Sequence, residues 1–327
     1  MSKTVLVTGG AGYVGSHCAK AFAQAGWRVV TFDNLSRGHR EFVKWGPLIE
    51  GDLLDRTALD EALANTQPDA VAHFAALAYV GESMDSPDLY YRNNVLGTMH
   101  LLDSMRGAGV GQLVFSSSCA TYGISNDLIT ETTPQRPINP YGETKLICEK
   151  MIRDYGDAYD IRSVMLRYFN AAGCDAEGET GERHDPETHV IPRALRGAID
   201  GTFTFNIFGG DYDTPDGTCV RDYVHVTDLA DAHARALNYL SDGGETDVFN
   251  LGTGRGYSVK ELANAVSKVA GREVPQIIAE RRPGDPPRLV ASADKARNVL
   301  GWQPQHSDLE TILKTAWFWF QNELRYG

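Results

Sequence analysis

A short apolar run followed at once by three spaced glycines constrains this chain more than any other stretch. Residues Thr4–Thr8 are typical of a buried parallel strand, and the apolar spacing from Ser16 to Ala25 is typical of a helix. Between them, Gly9, Gly12 and Gly15 lie at G-x-x-G-x-x-G spacing. Glycines here permit a tight turn, close approach of backbone N–H groups to a pyrophosphate, and close packing of helix on strand. The helix N-terminus adds a partial positive charge, so this stretch predicts a dinucleotide site.

A second strand and its terminal acid extend that pattern. The strand pattern at Arg28–Phe32 ends in Asp33, which lies 18 residues after Gly15. An acid at this distance can accept hydrogen bonds from the two hydroxyls of an adenine ribose, and it repels a 2′-phosphate. The alternative is that Asp33 is only a turn residue before Asn34. The pattern therefore predicts NAD in preference to NADP, although Arg37 nearby weakens that preference.

Strand and helix patterns then alternate along the first half of the chain. A short strand precedes Asp52, which we expect to meet the adenine amino group. Further strands are expected at Asp69–Phe74, Gln112–Phe115 and Ile161–Arg167, with a long helix from Tyr90 to Ala108. This alternation predicts an α/β fold with a doubly wound parallel sheet of the Rossmann type. The small-residue turn Ala75-Ala76 would lie at the carboxyl edge of that sheet, where cofactors bind in such folds.

The stretch Asn139-Pro140-Tyr141-Gly142-Glu143-Thr144-Lys145 is typical of the first turns of a helix. Asn139 can cap the helix, and Pro140 suits a first position that needs no backbone donor. Tyr141 and Lys145 are four residues apart and share one face. A neighbouring ammonium favours the phenolate, so we expect Lys145 to lower the pKa of Tyr141 and make it a base. The alternative is an amphipathic helix with an incidental Tyr/Lys pair.

The domain organisation follows from a change of character after the sixth strand. We expect residues 1–168 to form the NAD-binding Rossmann domain and residues 169–327 to form a smaller mixed α/β substrate domain. The strand pattern at Val248–Gly252 is expected to return to the main sheet. Segments at about 224–255 would then belong to the first domain, so that the two domains exchange segments.

Composition excludes several classes of function. The 327 residues carry a formal charge of −12, which argues against a nucleic-acid backbone as a partner. The five cysteines are scattered and lack a C-x-x-C pair, as expected of reduced thiols in the cytoplasm. No signal-peptide pattern and no run of 18 apolar residues occurs, so we expect a cytoplasmic protein without a membrane partner. The spacing of His184 and His189 fits no common ligand set, and no metal site is predicted.

Taken together, these features resemble the extended short-chain dehydrogenase/reductases. The combined pattern is the initial T-G-G-A-G-Y-V-G, an asparagine in N-V-L-G-T, Ser118 at a strand end, and the Tyr141/Lys145 pair. Within that superfamily the chain resembles the UDP-glucose 4-epimerase family nearly end to end. The stretches that carry this resemblance are His73–Ala75, Val80–Ser83, Phe115–Ser118, Leu166–Asn170, Asp216–Tyr223, Tyr257–Val259 and Arg281–Asp285.

The resemblance implies a mechanism and roles for individual residues. Tyr141, Ser118 and Lys145 would be catalytic: Tyr141 takes the proton of the sugar C4 hydroxyl, Ser118 hydrogen-bonds the same oxygen, and Lys145 holds the cofactor ribose. The C4 hydride would move to NAD⁺ and return to the other face of a 4-keto sugar. The implied NAD-binding residues are Gly9, Gly12, Tyr13, Val14, Gly15, Asp33, Asn34, Asp52, Leu53, Phe74, Ala75, Ala76, Asn94, Tyr141, Lys145 and Tyr168. The implied UDP-sugar residues are Ser118, Tyr141, Asn170, Phe208, Arg221, Arg282 and Asp285, of which the two arginines suit a diphosphate.

The sequence also departs from related patterns. Cys119 and Ala120 stand where nucleotide-sugar 4,6-dehydratases carry an Asp-Glu pair, which disfavours dehydration. Ala78 lies just after the F-A-[AG] turn, where many epimerases carry a lysine. Leu289 stands where relatives control the room for an N-acetyl group, and its intermediate size leaves that specificity open.

Several alternatives therefore remain at the level of sequence. Other NAD-dependent nucleotide-sugar enzymes of the superfamily are a UDP-pentose 4-epimerase, a UDP-N-acetylglucosamine 4-epimerase and a 4,6-dehydratase. A non-enzymatic NAD-binding sensor is disfavoured because Ser118, Tyr141 and Lys145 are all present. The resemblance further implies a homodimer that packs through the helices at Tyr90–Ala108 and Tyr141–Tyr159.

Overall fold

Strands and helices alternate through most of the chain, and the computed structural model describes residues 2–125, 127–281 and 286–326. The strands are β1 (Thr4–Thr8), β2 (Arg28–Asp33), β3 (Leu48–Glu50), β4 (Ala70–His73), β5 (Gln112–Ser118), β6 (Arg162–Tyr168), β7 (Asn170–Ala172), β8 (Phe205–Phe208), β9 (Val220–Arg221), β10 (Tyr223–His225), β11 (Asp247–Leu251), β12 (Tyr257–Ser258), β13 (Gln276–Ala279) and β14 (Arg288–Leu289). The helices are α1 (Tyr13–Gln24), α2 (Arg56–Thr66), α3 (Val80–Asp85), α4 (Pro87–Tyr90), α5 (Gly97–Ala108), α6 (Pro140–Tyr159), α7 (Val190–Asp200), α8 (Val226–Ser241), α9 (Val259–Ala270), α10 (Asp294–Leu300) and α11 (Leu309–Tyr326).

Seven parallel strands form the main sheet in the order β11-β6-β5-β4-β1-β2-β3. The prediction of a doubly wound α/β fold is therefore confirmed. The strand order reverses beside β1, which pairs with β2 on one side and β4 on the other. Ligands bind at such a switch point, outside the carboxyl ends of the strands. At the far edge, β11 pairs with β6 from Asp247 opposite Val164 to Leu251 opposite Tyr168.

Both faces of the sheet are covered, as a parallel sheet requires. Successive residues of β1 point to opposite faces, so Val5 and Val7 join one core while Leu6 joins the other. The first core includes residues of α1 and α8, and the second includes residues of α2, α5 and α6. Among the described residues, no helix is both long and apolar enough to cross a bilayer.

The rest of the chain forms a smaller unit beside the carboxyl edge of the main sheet. It contains the short sheets β10-β7, β12-β9-β14 and β13-β8. A third core, built from residues of α7, α9 and α11, holds this unit together. Residues of these short strands, among them Asn170, Phe208 and Arg221, line the second wall of the cavity described below.

The long helix expected at Tyr90–Ala108 differs from the observed helical segment in where it begins and in its continuity. The helical segment begins earlier, at Pro87, which suits the first turn because proline lacks a backbone donor. A π-helical turn at Tyr91–Leu96 then interrupts it before α5. Such turns are rare and are frequently found at functional sites. This one carries Asn94, a predicted cofactor-binding residue.

Candidate active site

A cavity of about 1670 Å³ runs along the carboxyl edge of the sheet, between the sheet and the smaller unit. Pockets for one small ligand are typically about 300–1,000 Å³, so this one has room for two. The predicted residues that line it are Gly9, Gly12, Tyr13, Val14, Gly15, Asp33, Asn34, Asp52, Leu53, Phe74, Ala75, Ala76, Ser118, Tyr141, Tyr168, Asn170, Phe208 and Arg221. Lys145 and Asn94 are buried behind its wall. Arg282 and Asp285 lie outside the described residues.

The glycine turn after β1 packs tightly against the protein at two of its three glycines. Gly9 has φ +76, and a Cβ there would lie 2.5 Å from the backbone nitrogen of Ala75. A Cβ on Gly15 would lie 2.1 Å from the carbonyl oxygen of Gly9. On Gly12, however, a Cβ would meet only that same oxygen, at 3.4 Å. The protein leaves this side of Gly12 open to the cavity, as a backbone that approaches a pyrophosphate requires.

Asp33 is held beside that turn by backbone donors. Its Oδ2 accepts a 3.0 Å hydrogen bond from the backbone nitrogen of Ala11, and its Oδ1 accepts one of 2.8 Å from Leu35. Burial raises the pKa of the Asp33 carboxyl, and these bonds oppose that shift. Each carboxylate oxygen retains a further acceptor site, so a ribose diol can still bind. Asp33 thus lies beside the glycine turn, as the prediction of a ribose-binding acid requires.

Arg37, a side chain that could bind a 2′-phosphate, is already paired with other groups of the protein. Its Nη2 lies 2.6 Å from Oε1 of Glu82, and its Nη1 donates to the carbonyl oxygen of Asp185 at 3.0 Å. Its guanidinium also stacks on the ring of Tyr79, 5.2 Å from the centroid. Arg37 is therefore less able to bind a 2′-phosphate, and its presence weakens the prediction of NAD less than the sequence alone implied.

The first turn of α6 places the side chain of Tyr141 next to that of Ser118. The side chain of Asn139 accepts a 2.8 Å hydrogen bond from the backbone nitrogen of Gly142, so Asn139 caps the helix as expected. A Cβ on Gly142 would lie 2.4 Å from the carbonyl oxygen of Ala120. Only glycine allows α6 to pack so closely on the turn after β5. Ser118 and Tyr141 therefore line the same part of the cavity.

The pKa values of Tyr141 and Lys145 differ from the expectation that Lys145 lowers the pKa of Tyr141. Burial raises the pKa of Tyr141 to about 12, and the Ser118 hydroxyl opposes that shift only in part. Burial lowers the pKa of Lys145 to about 8. Its ammonium donates to the carbonyl oxygen of Ser116, at 2.7 Å. The expectation was wrong for the protein alone, because a sequence rule for neighbouring charges takes no account of desolvation.

Asn94 joins the helical segment to the turn after β4. Its side-chain oxygen accepts a 2.9 Å hydrogen bond from the backbone nitrogen of Leu77, and its nitrogen donates to the Leu77 carbonyl oxygen at 3.0 Å. The same nitrogen also lies 3.1 Å from the hydroxyl of Thr144 on α6. Asn94 thus fixes the position of the cavity wall near Ala75 and Ala76 without lining it.

The opposite wall contains the residues predicted to bind substrate. Nη1 of Arg221 donates to the carbonyl oxygens of Val220 and Pro286, at 2.9 Å each. These bonds fix the guanidinium end of a side chain that lines the cavity. Beside it, both oxygens of the Asp222 carboxylate accept from the backbone nitrogen of Thr253, at 2.9 and 3.0 Å. The strand that carries Arg221 is thereby anchored.

A buried charged network that was not predicted from the sequence lies behind Ser118. Arg167 on β6 donates through Nε to Oε1 of Glu149 at 2.8 Å, and the Ser117 hydroxyl donates to the same oxygen at 2.6 Å. Arg167 also donates to the hydroxyl of Tyr122, at 2.8 Å. An arginine directly after the apolar run Val164–Leu166, within a buried strand, was the signal that could have revealed a buried carboxylate partner.

Comparison with known proteins is consistent across the whole chain. Residues 5–252 match the NAD dependent epimerase/dehydratase family. The chain is 55% identical to the UDP-glucose 4-epimerase of Rhizobium meliloti (strain 1021) over 100% of its own length and 99% of that protein. Its fold matches the crystal structure of UDP-glucose 4-epimerase from Brucella ovis in complex with NAD with a TM-score of 0.95, 52% identity and 98% of each chain covered.

A second solved structure extends this similarity to a complex with a nucleotide besides the cofactor. It is the UDP-glucose 4-epimerase from Bifidobacterium longum in complex with NAD⁺ and UDP, with a TM-score of 0.92 and 37% identity. The match covers 98% of this chain and 99% of that one. The similarity thus spans both walls of the cavity.

Proposed function

The chain belongs to the NAD dependent epimerase/dehydratase family, and we propose that it interconverts UDP-glucose and UDP-galactose at C4 of the sugar. One observation carries this proposal: Tyr141 and Ser118 line the same cavity as the glycine turn and Arg221. Such an arrangement suits two ligands that meet at a phenol and a hydroxyl. The relatives named above are UDP-glucose 4-epimerases, and two of them were crystallised with NAD, one of these also with UDP.

NAD is the cofactor, and the residues present fit it. The open side of Gly12 would receive the pyrophosphate, Asp33 the adenine ribose, and Asp52 the adenine. Asn34 supports Asp52 with a 2.9 Å hydrogen bond to its Oδ2. When bound, NAD supplies a reversible acceptor for the C4 hydrogen, so the reaction shows no net redox change.

Tyr141 is the proposed base that removes the proton of the C4 hydroxyl and later returns it. Its pKa of about 12 in the protein alone leaves it protonated near neutral pH, so it requires an added positive charge to ionise. The nicotinamide of bound NAD⁺ would carry such a charge. Ser118 holds the same sugar oxygen and stabilises the charge that develops there.

The substrate half of the cavity would bind the UDP part of the molecule. Arg221 is placed there to pair with the diphosphate, because a guanidinium fork matches two phosphate oxygens. Asn170 and Phe208 line the same wall and are the proposed contacts for diphosphate and uracil. Roles for Arg282 and Asp285 remain predictions from the sequence.

Other reactions on the same scaffold are less well supported. The turn after Ser118 consists of Cys119–Thr121, and burial raises the pKa of the Cys119 thiol to about 12. Neither Cys119 nor Ala120 can therefore supply the acid and base that dehydration needs. Leu289 lines the cavity, and the assay of UDP-N-acetylglucosamine described below tests the room that it leaves for an N-acetyl group.

We also propose that the protein is a cytoplasmic homodimer whose chain is divided into two domains. Half-buried side chains at Ile147, Met151 and Tyr155 form a stripe along α6, and Tyr91 and Met99 are exposed on the neighbouring helical segment. A homodimer would bury both stripes.

The five cysteines are free thiols, which suits the proposed cytoplasmic location. Residues 1–168, with segments at about 224–255, would hold NAD, and residues 169–327 would hold the UDP-sugar.

The test uses purified protein and UDP-galactose without added NAD. Formation of UDP-glucose is followed through a coupled dehydrogenase, while UDP-xylose and UDP-N-acetylglucosamine are assayed separately by chromatography. We expect interconversion at C4, together with NAD that is released only on denaturation. Tyr141→Phe should retain the NAD and lose turnover, whereas Tyr159→Phe, at the exposed end of α6, should keep both.

Two outcomes would overturn parts of this proposal. No epimer from any of the three sugars, with NAD still bound, would discard epimerisation and favour another nucleotide-sugar reaction or a sensor. Full activity of Tyr141→Phe would discard Tyr141 as the base. Sedimentation of the same sample at the mass of a monomer would discard the homodimer.

A further inference from the structure

Four metal-ligating side chains meet at the wall of the cavity, although the sequence spacing predicted no metal site. They all come from residues 182–189 and are Glu182, His184, Glu187 and His189, whose ligand atoms lie within 4.8 Å of one another. The side chains of Glu182 and Glu187 are only 4% and 8% exposed. The two carboxylates are therefore buried against two imidazoles, an arrangement that needs a compensating charge.

The distances around His184 match those around a tetrahedral ion, and the distances around His189 are somewhat shorter. Nδ1 of His184 lies 3.4 Å from Oε1 of Glu182 and 3.5 Å from Oε2 of Glu187. Nδ1 of His189 lies 3.2 Å from Oε1 of Glu182 and 3.0 Å from Oε1 of Glu187. Zinc binds such atoms at about 2.0–2.2 Å, so neighbouring ligand atoms of a tetrahedral site are roughly 3.3–3.6 Å apart.

Hydrogen bonding accounts for only part of the cluster: Oε1 of Glu187 is paired with Nδ1 of His189 at 3.0 Å and accepts a 2.8 Å bond from the backbone nitrogen of His189. Among the described residues, neither Nδ1 of His184 nor Oε2 of Glu187 has a hydrogen-bond partner, although both atoms are buried. A charge-assisted hydrogen bond between imidazolium and carboxylate is about 2.7–2.9 Å long, and the distances around His184 exceed this range. Two buried polar atoms that face each other without a bond indicate a missing shared partner.

We propose that Glu182, His184, Glu187 and His189 bind one Zn²⁺ ion in a structural site. Two carboxylates neutralise the charge of the ion, and two neutral imidazoles complete a set of nitrogen and oxygen ligands that zinc accepts. All four ligands come from the protein, so no position is left open for water or substrate. The ion therefore serves the fold of the cavity wall and takes no part in the reaction.

The site would connect the cofactor side of the cavity to the smaller unit. The carbonyl oxygen of Asp185 accepts from Arg37, and that of Arg183 lies 3.0 Å from Nε2 of His39, so the segment rests on the turn after β2. At its other end, His189 immediately precedes α7. An ion bound between these contacts would hold both elements in place.

The rival occupant of the cluster is a proton. Burial alone would lower the pKa of His184, but the carboxylates of Glu182 and Glu187 outweigh it and raise the pKa to about 9. A protonated His184 would partly balance the two acids. The two hypotheses differ in metal content, which can be measured directly.

A nearby acidic group provides a matched control. Asp175, Glu177 and Glu179 also lie close together, but Nζ of Lys20 already lies 2.8, 2.5 and 2.7 Å from their oxygens. That group has its cation in the protein and contains no histidine. It should not bind zinc.

The test uses the purified protein with its NAD. Metal content is measured after dialysis with EDTA, after reloading with ZnCl₂ and removal of the excess, and after reloading with CoCl₂. We expect about one zinc per chain on reloading, and for Co²⁺ the intense visible absorption of tetrahedral coordination. Failure of the wild-type protein to retain zinc, or only the weak spectrum of octahedral cobalt, would overturn the proposal.

Three variants assign the site. Glu187→Gln and His184→Gln should each weaken zinc binding at least about 100-fold and abolish the cobalt spectrum, since each removes one of four ligands. Glu177→Gln should retain both signals. Equal zinc binding by Glu187→Gln and the wild-type protein would overturn the assignment. Circular dichroism and NAD content check folding, and the cobalt spectrum of the wild-type protein decides the question if both ligand variants misfold.

Discussion

The ammonium of Lys145 donates a 2.7 Å hydrogen bond to the carbonyl oxygen of Ser116 from within the protein core. Lys145 is 4% exposed, and burial lowers its pKa to about 8. The fold thus keeps a buried cation at neutral pH, close to the end of the strand that carries Ser118. A charge held in this way destabilises the protein, which suggests that it is retained for the reaction.

Replacing Lys145 by methionine should therefore stabilise the protein while it abolishes turnover. A pKa lowered from 10.5 to about 8 corresponds to roughly 3 kcal/mol, and loss of the bond to Ser116 removes about 1 kcal/mol. We expect the free energy of unfolding of Lys145→Met to exceed that of the wild type by about 1–2 kcal/mol at pH 7. Urea unfolding of both proteins without cofactor measures this difference.

The sign of the pH dependence provides the control. The folded-state pKa of Lys145 lies below its unfolded value, so the penalty is complete below pH 8 and disappears as the pH rises toward 10.5. The advantage of Lys145→Met should then shrink between pH 7 and pH 10. Lys150→Met, at an exposed position of the same helix, should show no such change. An equal advantage at both pH values would contradict the argument.

The contact between Gly142 and Ala120 gives a second prediction. A methyl group on Gly142 would lie 2.4 Å from a backbone carbonyl oxygen, so α6 must shift and carry Tyr141 away from Ser118. We expect Gly142→Ala to lower turnover by about 10- to 100-fold, the usual effect of a displacement near 1 Å. Steady-state kinetics with UDP-galactose measure this loss.

The matched control for that substitution is Gly107→Ala on α5. A Cβ on Gly107 meets no atom within 4 Å, and the residue is exposed. Turnover should be unchanged, and stability should rise by about 0.5–1 kcal/mol because alanine favours the helix. If both variants keep full turnover, close packing at Gly142 does not position Tyr141.

Local sequence patterns predicted the parts of this site that depend on neighbours in the chain. The strand and glycines around Gly9 fixed the start of the sheet, and Asn139 capped α6 through a residue three positions away. The contacts that align the two catalytic elements are not local. Nothing near Gly142 in the sequence indicates Ala120, and nothing near Arg167 indicates Glu149.

The wrong expectation for Tyr141 and the oversight of the group around His184 have the same origin. The pKa of Tyr141 rises because the fold buries the phenol, a property that four-residue spacing does not encode. The group around His184 escaped notice because an irregular segment brings its glutamates to its histidines, whereas common ligand patterns assume helices or regular turns. Burial and irregular backbone are set by the whole fold.

The ion pair between Glu149 and Arg167 gives a third prediction. Burial alone would raise the pKa of Glu149, but Arg167, Ser117 and Gln135 outweigh it and lower the pKa. Glu149→Gln leaves a buried guanidinium without its partner and should cost about 3–5 kcal/mol of stability at pH 7. Urea unfolding measures the loss.

The dependence on pH and a double variant test the cause of that loss. Since the folded-state pKa of Glu149 is lowered, its contribution is present at neutral pH and disappears as the pH falls through that pKa. The difference between Glu149→Gln and the wild type should therefore narrow in acid. Combining Glu149→Leu with Arg167→Met should restore most of the stability at pH 7. A double variant as unstable as Glu149→Gln would point to lost packing.

Cofactor choice gives the last prediction, because Asp33 and Arg37 would have opposite effects at the proposed position of the adenine ribose. Asp33→Ser removes the acceptor for the ribose hydroxyls and should weaken NAD binding by about 10- to 100-fold. NADP should gain little, since Arg37 is paired with Glu82 at 2.6 Å. Adding Glu82→Gln removes that charge and allows the guanidinium to meet a 2′-phosphate, so Asp33→Ser with Glu82→Gln should bind NADP more tightly than NAD. Titration calorimetry on cofactor-stripped protein gives the four dissociation constants.

Glu41→Gln serves as the control for loss of one surface acid, because Glu41 pairs with Arg183 and not with Arg37. Combined with Asp33→Ser, it should leave NADP binding as weak as in Asp33→Ser alone. If it improves NADP binding as much as Glu82→Gln does, net charge and not the release of Arg37 sets the preference. If neither combination improves it, the contacts of Arg37 with Asp185 and Tyr79 hold the guanidinium even without Glu82.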